Sequence, residues 1–148
     1  MVLGMSLSTL TTLHVVLSLI AIASGALVLR DMLRSRRAAG LTAVFLLTTA
    51  GTSVTGLGHV TGALSLVVLV PTVLALYQHC LAGPWRGVYA AGATAALYLN
   101  VLQALAPPDI VTQLVILAIF VGLGVLAVKR FRPCAPRLVH IRLPAAPV

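Results

Sequence analysis

The chain is patterned as five long apolar segments separated by short polar, glycine-containing or proline-containing breaks. The apolar segments cover about 7–29, 41–57, 59–81, 87–105 and 110–128. A helix needs about 20 apolar residues to cross the hydrocarbon core of a bilayer. The pattern therefore predicts an all-α protein, an integral membrane bundle of five transmembrane helices. We expect these helices to form one domain over residues 1–131, followed by a tail over 132–148.

The cations sort the breaks into two kinds. All ten Lys and Arg residues follow the first, third or fifth apolar segment: Arg30, Arg34, Arg36, Arg37, Arg86, Lys129, Arg130, Arg132, Arg137 and Arg142. Five crossings put all of them on one side of the membrane. Because Lys and Arg concentrate in cytoplasmic loops, we expect the N-terminus outside and the C-terminal tail in the cytoplasm.

Composition supports a membrane protein and argues against nucleic acid as a partner. Of the 148 residues, 60% are hydrophobic and 8% are charged, whereas soluble domains carry about 25% charged residues. The net charge of +8 suits anionic lipid headgroups, since the cations flank membrane segments. Cys80 and Cys134 map to the predicted cytoplasmic side, which is reducing, and they lack metal-ligand spacing.

Several short strings resemble a family of small, uncharacterised multi-span integral membrane proteins of Gram-negative bacteria. The strings are HVVLSL at 14–19, TSVTG at 52–56, LAGPWR at 81–86, ALYLNV at 96–101, TQLVILAIF at 112–120 and LAVKRF at 126–131. The resemblance covers most of the chain from His14 to Phe131. It implies a multi-pass protein of the bacterial inner membrane and adds no activity. The chain is shorter than the family pattern in the breaks before the third and fifth segments.

Polar side chains collect at one depth, in the predicted outer half of the membrane. We expect His14, Thr52, His59 and Asn100 to line a common cavity opening toward the outer surface. Thr48, Thr52 and Thr55 are spaced i, i+4 and i+7, which places them on one helix face. That face is predicted to point inward, because polar groups in lipid usually face the bundle interior or a wet cavity.

Four interpretations of this cluster remain open. The side chains could only form interhelical hydrogen bonds, which are common between membrane helices. His14 and His59 could ligate the iron of a non-covalently held haem b. The cluster could also hold a quinone headgroup, with His14 and Asn100 contacting its carbonyls, or it could bind a lipid headgroup. Metal binding by His14, His59 and Asp109 is disfavoured, since only two of these are firm ligands.

The chain lacks the residues of a catalytic site. It has no Glu and only two Asp residues, and no nucleophile, base and acid come together at one depth. We therefore predict a non-enzymatic accessory or assembly subunit of a larger inner-membrane complex. Small residues spaced four apart, as in Ala118 and Gly122, suit close packing within the bundle, against another integral membrane subunit or against a second copy of this chain. The alternative is a haem b or quinone binding redox protein, and the third possibility is a small-solute channel.

Overall fold

A computed structural model describes residues 7–55, 60–105 and 109–132. These residues form five α-helices and no strands: α1 (Leu7–Leu33), α2 (Ala39–Thr55), α3 (Val60–Tyr77), α4 (Trp85–Leu105) and α5 (Ile110–Arg130). The all-α class is therefore confirmed for the described part of the chain. His59, Cys134, His140 and the predicted tail beyond Arg132 lie outside the described residues.

Four of the helices are long and apolar enough to cross a membrane. Their most apolar windows have mean hydropathies of 2.2 in α1, 2.1 in α3, 1.3 in α4 and 2.6 in α5. The remaining helix, α2, is also apolar but has only 17 residues. A multi-pass membrane protein is thus supported by length and composition, and α2 is the helix that needs a separate argument.

Helices α1 to α4 form a four-helix bundle, and α5 packs on its outside. Each of the first four helices contacts the next, and α4 contacts α1, which closes the ring. Helix α5 contacts α4 and, less extensively, α1. Because the breaks between helices are short, successive helices run in opposite directions. All described cations consequently lie at the end of the bundle where α1 and α3 end and α4 begins, which we call the cationic end.

Two glycines permit close helix approach inside the ring. A Cβ at Gly25 in α1 would lie 2.7 Å from a ring carbon of Phe45 and 2.8 Å from a methyl carbon of Leu97. A Cβ at Gly92 in α4 would coincide with the hydroxyl of Thr72 in α3. Phe45 and Thr72 are fully buried. The glycines therefore determine how closely α1 and α3 can pack against α4.

The helix ends differ from the predicted spans for local reasons. Helix α3 ends at Tyr77 because Cys80 and Leu81 adopt left-handed backbone angles (φ 47° and 61°) and the Leu81 N–H donates to the Ala75 carbonyl over 3.0 Å. Residues with left-handed angles cannot continue a right-handed helix, so the chain turns away from the helix axis at this point. Trp85 begins α4 and stacks on His79 with ring centroids 3.7 Å apart.

Candidate functional site

A buried amide at Asn100 joins α4 to α2 inside the bundle. Its Nδ2 donates to the Thr49 hydroxyl over 3.1 Å and to the Ala96 carbonyl of its own helix over 3.0 Å. Its Oδ1 lies 3.2 Å from the Thr52 hydroxyl, which has one proton to donate either to this oxygen or to the Thr49 carbonyl, 2.9 Å away. Asn100, Thr49 and Thr52 are each exposed by 2% or less. The amide is therefore satisfied entirely by protein groups, in the manner of an interhelical crosslink.

His14 lies on the rim of this cluster and contacts the next turn of α2. Its Nδ1 is 2.8 Å from the Thr55 hydroxyl oxygen, and the residue is half-buried. The Thr55 hydroxyl also lies 3.0 Å from the carbonyls of Gly51 and Thr52. A hydroxyl has one proton, so when Thr55 donates to its own backbone its oxygen accepts from Nδ1–H. In that tautomer the lone pair of His14 is on Nε2.

A second polar contact joins the same two helices nearer the cationic end. The hydroxyls of Thr42 in α2 and Tyr89 in α4 are 3.1 Å apart, and both residues are buried. The ring of Tyr89 also packs on that of Phe131, with centroids 5.6 Å apart. The backbone N–H of Arg132 donates to the Ser35 hydroxyl over 2.9 Å. These contacts connect the last turn of α5 to α4 and to the turn between α1 and α2.

The structure brings some of the predicted site residues together. Thr52 and Asn100 are hydrogen-bonded to each other, and His14 reaches the same face of α2 through Thr55 rather than Asn100. His59 lies outside the described residues, so its place in the cluster stays a prediction. Sequence reasoning missed Thr49 as the partner of Asn100. Thr48, which it placed on the inward face, is half-buried and donates to the Val44 carbonyl of its own helix over 2.8 Å.

A groove of about 410 Å³ lies elsewhere, between α4 and α5. None of His14, Thr52 and Asn100 lines it. Its lining is almost wholly apolar and ends at Lys129. This groove is therefore not the cavity predicted for the polar cluster, and that cavity stays a prediction because His59 lies outside the described residues.

Asp109 serves as the N-cap of α5. Its carboxylate accepts the Thr112 backbone N–H over 2.6 Å and the Thr112 hydroxyl over 3.0 Å. These two hydrogen bonds lower the pKa of Asp109 below its usual value, because they stabilise the charged form. Within the described ranges, no three His, Cys, Asp or Glu side chains come close enough to hold a metal ion.

Comparisons with known proteins return no relative: no family model, no curated protein and no solved structure matches the chain.

Proposed function

We propose that this chain is a non-enzymatic accessory or assembly subunit of a larger complex in a bacterial inner membrane. The observation that carries the proposal is the position of α5. Only 6% of its most apolar window is buried by the rest of the chain, against 33–44% in α1, α3 and α4. A helix so little covered by its own bundle is available to pack against a helix of another subunit.

The outward face of α5 suits such packing. Its buried residue, Ala127, lies on the side facing the bundle, and Ala118 and Gly122 lie on the opposite side by helical angle. Both are exposed, and a Cβ added at Gly122 would meet nothing within 4 Å. Small residues four apart let two helix backbones approach closely, which favours association in lipid. We propose that a transmembrane helix of a partner subunit occupies this face.

In this proposal all five helices cross the membrane, with the N-terminus outside. Support for α2 comes from its two polar contacts with α4, Thr42 to Tyr89 and Thr52 to Asn100. They are separated by 10 residues in α2 and 11 in α4, which is about 15 Å along parallel helices. Helix α2 therefore runs parallel to α4, across the bundle, over about half of the 30 Å hydrocarbon core.

The accessory role is tested by the size of the protein in native membranes. We expect the tagged chain, extracted in mild detergent, to migrate in a species much larger than its own 15.3 kDa. Ala118→Leu and Gly122→Leu should release it as the free chain. Ala63→Leu is the matched control, because Ala63 is exposed on α3. Migration of the unmodified chain alone, or equal loss with Ala63→Leu, would reject the proposal.

A second candidate, haem b binding, is favoured by one feature of His14. Histidines that ligate a metal usually have their other ring nitrogen held by a hydrogen bond, and the Thr55 contact would leave Nε2 as the ligating atom. Asn100 offers less to a quinone, since its amide is engaged by Thr49, Thr52 and Ala96. A reduced-minus-oxidised haem b band that disappears with His14→Leu would establish this candidate, and a featureless spectrum would eliminate it.

A further inference from the structure

The groove between α4 and α5 has the layout of a site for one lipid chain. Its lining includes small residues from both helices, Ala91 and Ala95 from α4 and Gly124 from α5. Thr94 also lines the groove, but its hydroxyl donates to the Ala90 carbonyl over 2.8 Å. The surface offered along most of the groove is therefore apolar, and it calls for an apolar occupant.

The length of the groove matches one leaflet of a bilayer. Its lining on α5 extends from Leu117 to Lys129, a separation of 12 residues or about 18 Å. One leaflet of the hydrocarbon core is about 15 Å thick. The groove ends at Lys129, at the cationic end, so a chain lying in it would have its headgroup beside that ammonium group.

The cationic end of the groove lies where α4 begins and α5 ends. A Cβ at Gly87 in α4 would lie 3.7 Å from a methyl carbon of Val128 in α5, so the start of α4 is in contact with the end of α5. Lys129 follows Val128 and is the charged residue in the lining of the groove. An apolar groove that ends at a cation is complementary to a molecule with one anionic end and one hydrocarbon tail.

We infer that this groove binds an anionic phospholipid, with one acyl chain between α4 and α5 and the headgroup phosphate at Lys129. The volume of about 410 Å³ falls in the usual range for small-molecule sites, about 300–1,000 Å³. Ala118 and Gly122 do not line the groove, although Val125 and Lys129 at its edge lie on the same side of α5 by helical angle.

The test uses the purified full chain in detergent, with phosphatidylglycerol as the anionic probe and phosphatidylcholine of the same chains as the neutral one. Native mass spectrometry measures how much of each lipid is retained. We expect phosphatidylglycerol to be retained more strongly, and Lys129→Gln to weaken its retention about fivefold, as expected for one cation near the membrane surface. Arg130→Gln is the matched control, since it removes the same charge from a neighbouring exposed residue on another side of α5.

A second variant tests the groove itself. Gly124→Leu should fill it and abolish retention of phosphatidylglycerol, while Ala118→Leu, on the outward face, should leave retention unchanged. Equal retention of both lipids, or retention by Gly124→Leu equal to that of the unmodified chain, overturns the inference. If Gly124→Leu instead releases the chain from its native complex and leaves lipid retention intact, the groove belongs to a protein partner.

Discussion

At the scale of single residues, Asn100 has the most demanding environment in the bundle. A primary amide in a membrane helix is costly unless its donors and acceptor are satisfied. Thr49, Thr52 and the Ala96 carbonyl satisfy the amide of Asn100. The two bonds to threonines cross from α4 to α2, so the energy they contribute goes into holding those helices together.

We predict that Asn100→Leu destabilises the bundle by about 1 kcal/mol, since each interhelical hydrogen bond in a membrane contributes about 0.6 kcal/mol. Unfolding of the purified protein in mixed micelles measures this difference. Gln103→Leu is the control, because Gln103 is half-buried one turn further along α4 and makes no interhelical hydrogen bond with the described residues. If both variants lose the same amount, the amide does not tie α4 to α2.

The N-cap that Asp109 forms at the start of α5 is lost at low pH. The pKa of its carboxyl is lower in the folded chain than in the unfolded one because of the Thr112 hydrogen bonds. Because its pKa is lowered by folding, the Asp109 carboxylate caps the helix fully at any pH above the pKa of an ordinary aspartate. The cap is lost as the pH falls through the pKa of Asp109 in the folded chain. We predict that amide exchange at Thr112 stays constant from pH 8 to 5 and accelerates, after correction for intrinsic rates, below about pH 4.

Asp109→Asn supplies the control for this pH dependence. Asparagine can still accept the Thr112 N–H, and it does not titrate. The corrected exchange rate of Thr112 in this variant should therefore show no acid-dependent rise. A rise of the same size in both proteins would mean that a group other than Asp109 is responsible.

The sequence predicted which face of α2 carries the polar cluster, but not which threonines contact Asn100. The spacing places Thr48, Thr52 and Thr55 on one face of α2. Asn100 instead contacts Thr52 and Thr49, which is three residues before Thr52 and was not part of the predicted face. Spacing defines a face to within about one residue, and threonine gives little further guidance because it can bond its own backbone. Only the position of α4 shows which threonines form the crosslinks.

At the scale of the helices, close approach between α3 and α4 depends on Gly92. We predict that Gly92→Ala costs about 1–3 kcal/mol, because the added methyl group would overlap the fully buried Thr72 and force a shift in the packing. Unfolding in mixed micelles measures the loss. Gly40→Ala is the control: a Cβ there would meet nothing within 4 Å, and Ala is preferred to Gly in helices. A loss no larger than that of Gly40→Ala would contradict the close approach.

Hydrophobic patterning predicted where the helices lie but not where each one ends. The first segment was expected to end near residue 29, yet α1 continues to Leu33. Arg30 and Asp31 do not stop it, because charged residues are compatible with helical backbone once the helix leaves the hydrocarbon core. Conversely, α3 ends four residues before the predicted limit at 81, since left-handed Cys80 closes it. Apolar character marks depth in lipid, whereas helix ends are determined by capping.

At the scale of the whole molecule, the sequence left open which helix lies outside the bundle. Every segment is apolar, so binary patterning alone treats them alike. The mean hydropathy nonetheless differs among the four helices long enough to cross a membrane. Of these, α5 has the highest mean hydropathy, 2.6, and the least burial, while α4 has the lowest, 1.3, and the most burial. In lipid the polar side chains face inward. The most apolar helix is therefore the one expected at the edge.

The topology is tested by labelling single cysteines in intact cells. In a Cys134→Ser background, we expect a membrane-impermeant maleimide to react with a cysteine introduced at Pro107. We expect it to miss native Cys80, which is exposed at the cationic end. Breaking the cells should make Cys80 reactive, which controls for its accessibility. Labelling of Cys80 before lysis, or protection of the cysteine at Pro107, would reverse the proposed orientation.

The two polar contacts between α2 and α4 also restrict motion. With a single contact, such as that between Thr42 and Tyr89, one helix could still rotate about the point of contact. A second contact about 15 Å away, from Thr52 to Asn100, removes this rotation and also prevents α2 from sliding along α4, because a slip of one turn would break both contacts at once. Any movement of this bundle that preserves both contacts must therefore carry α2 and α4 together as one unit.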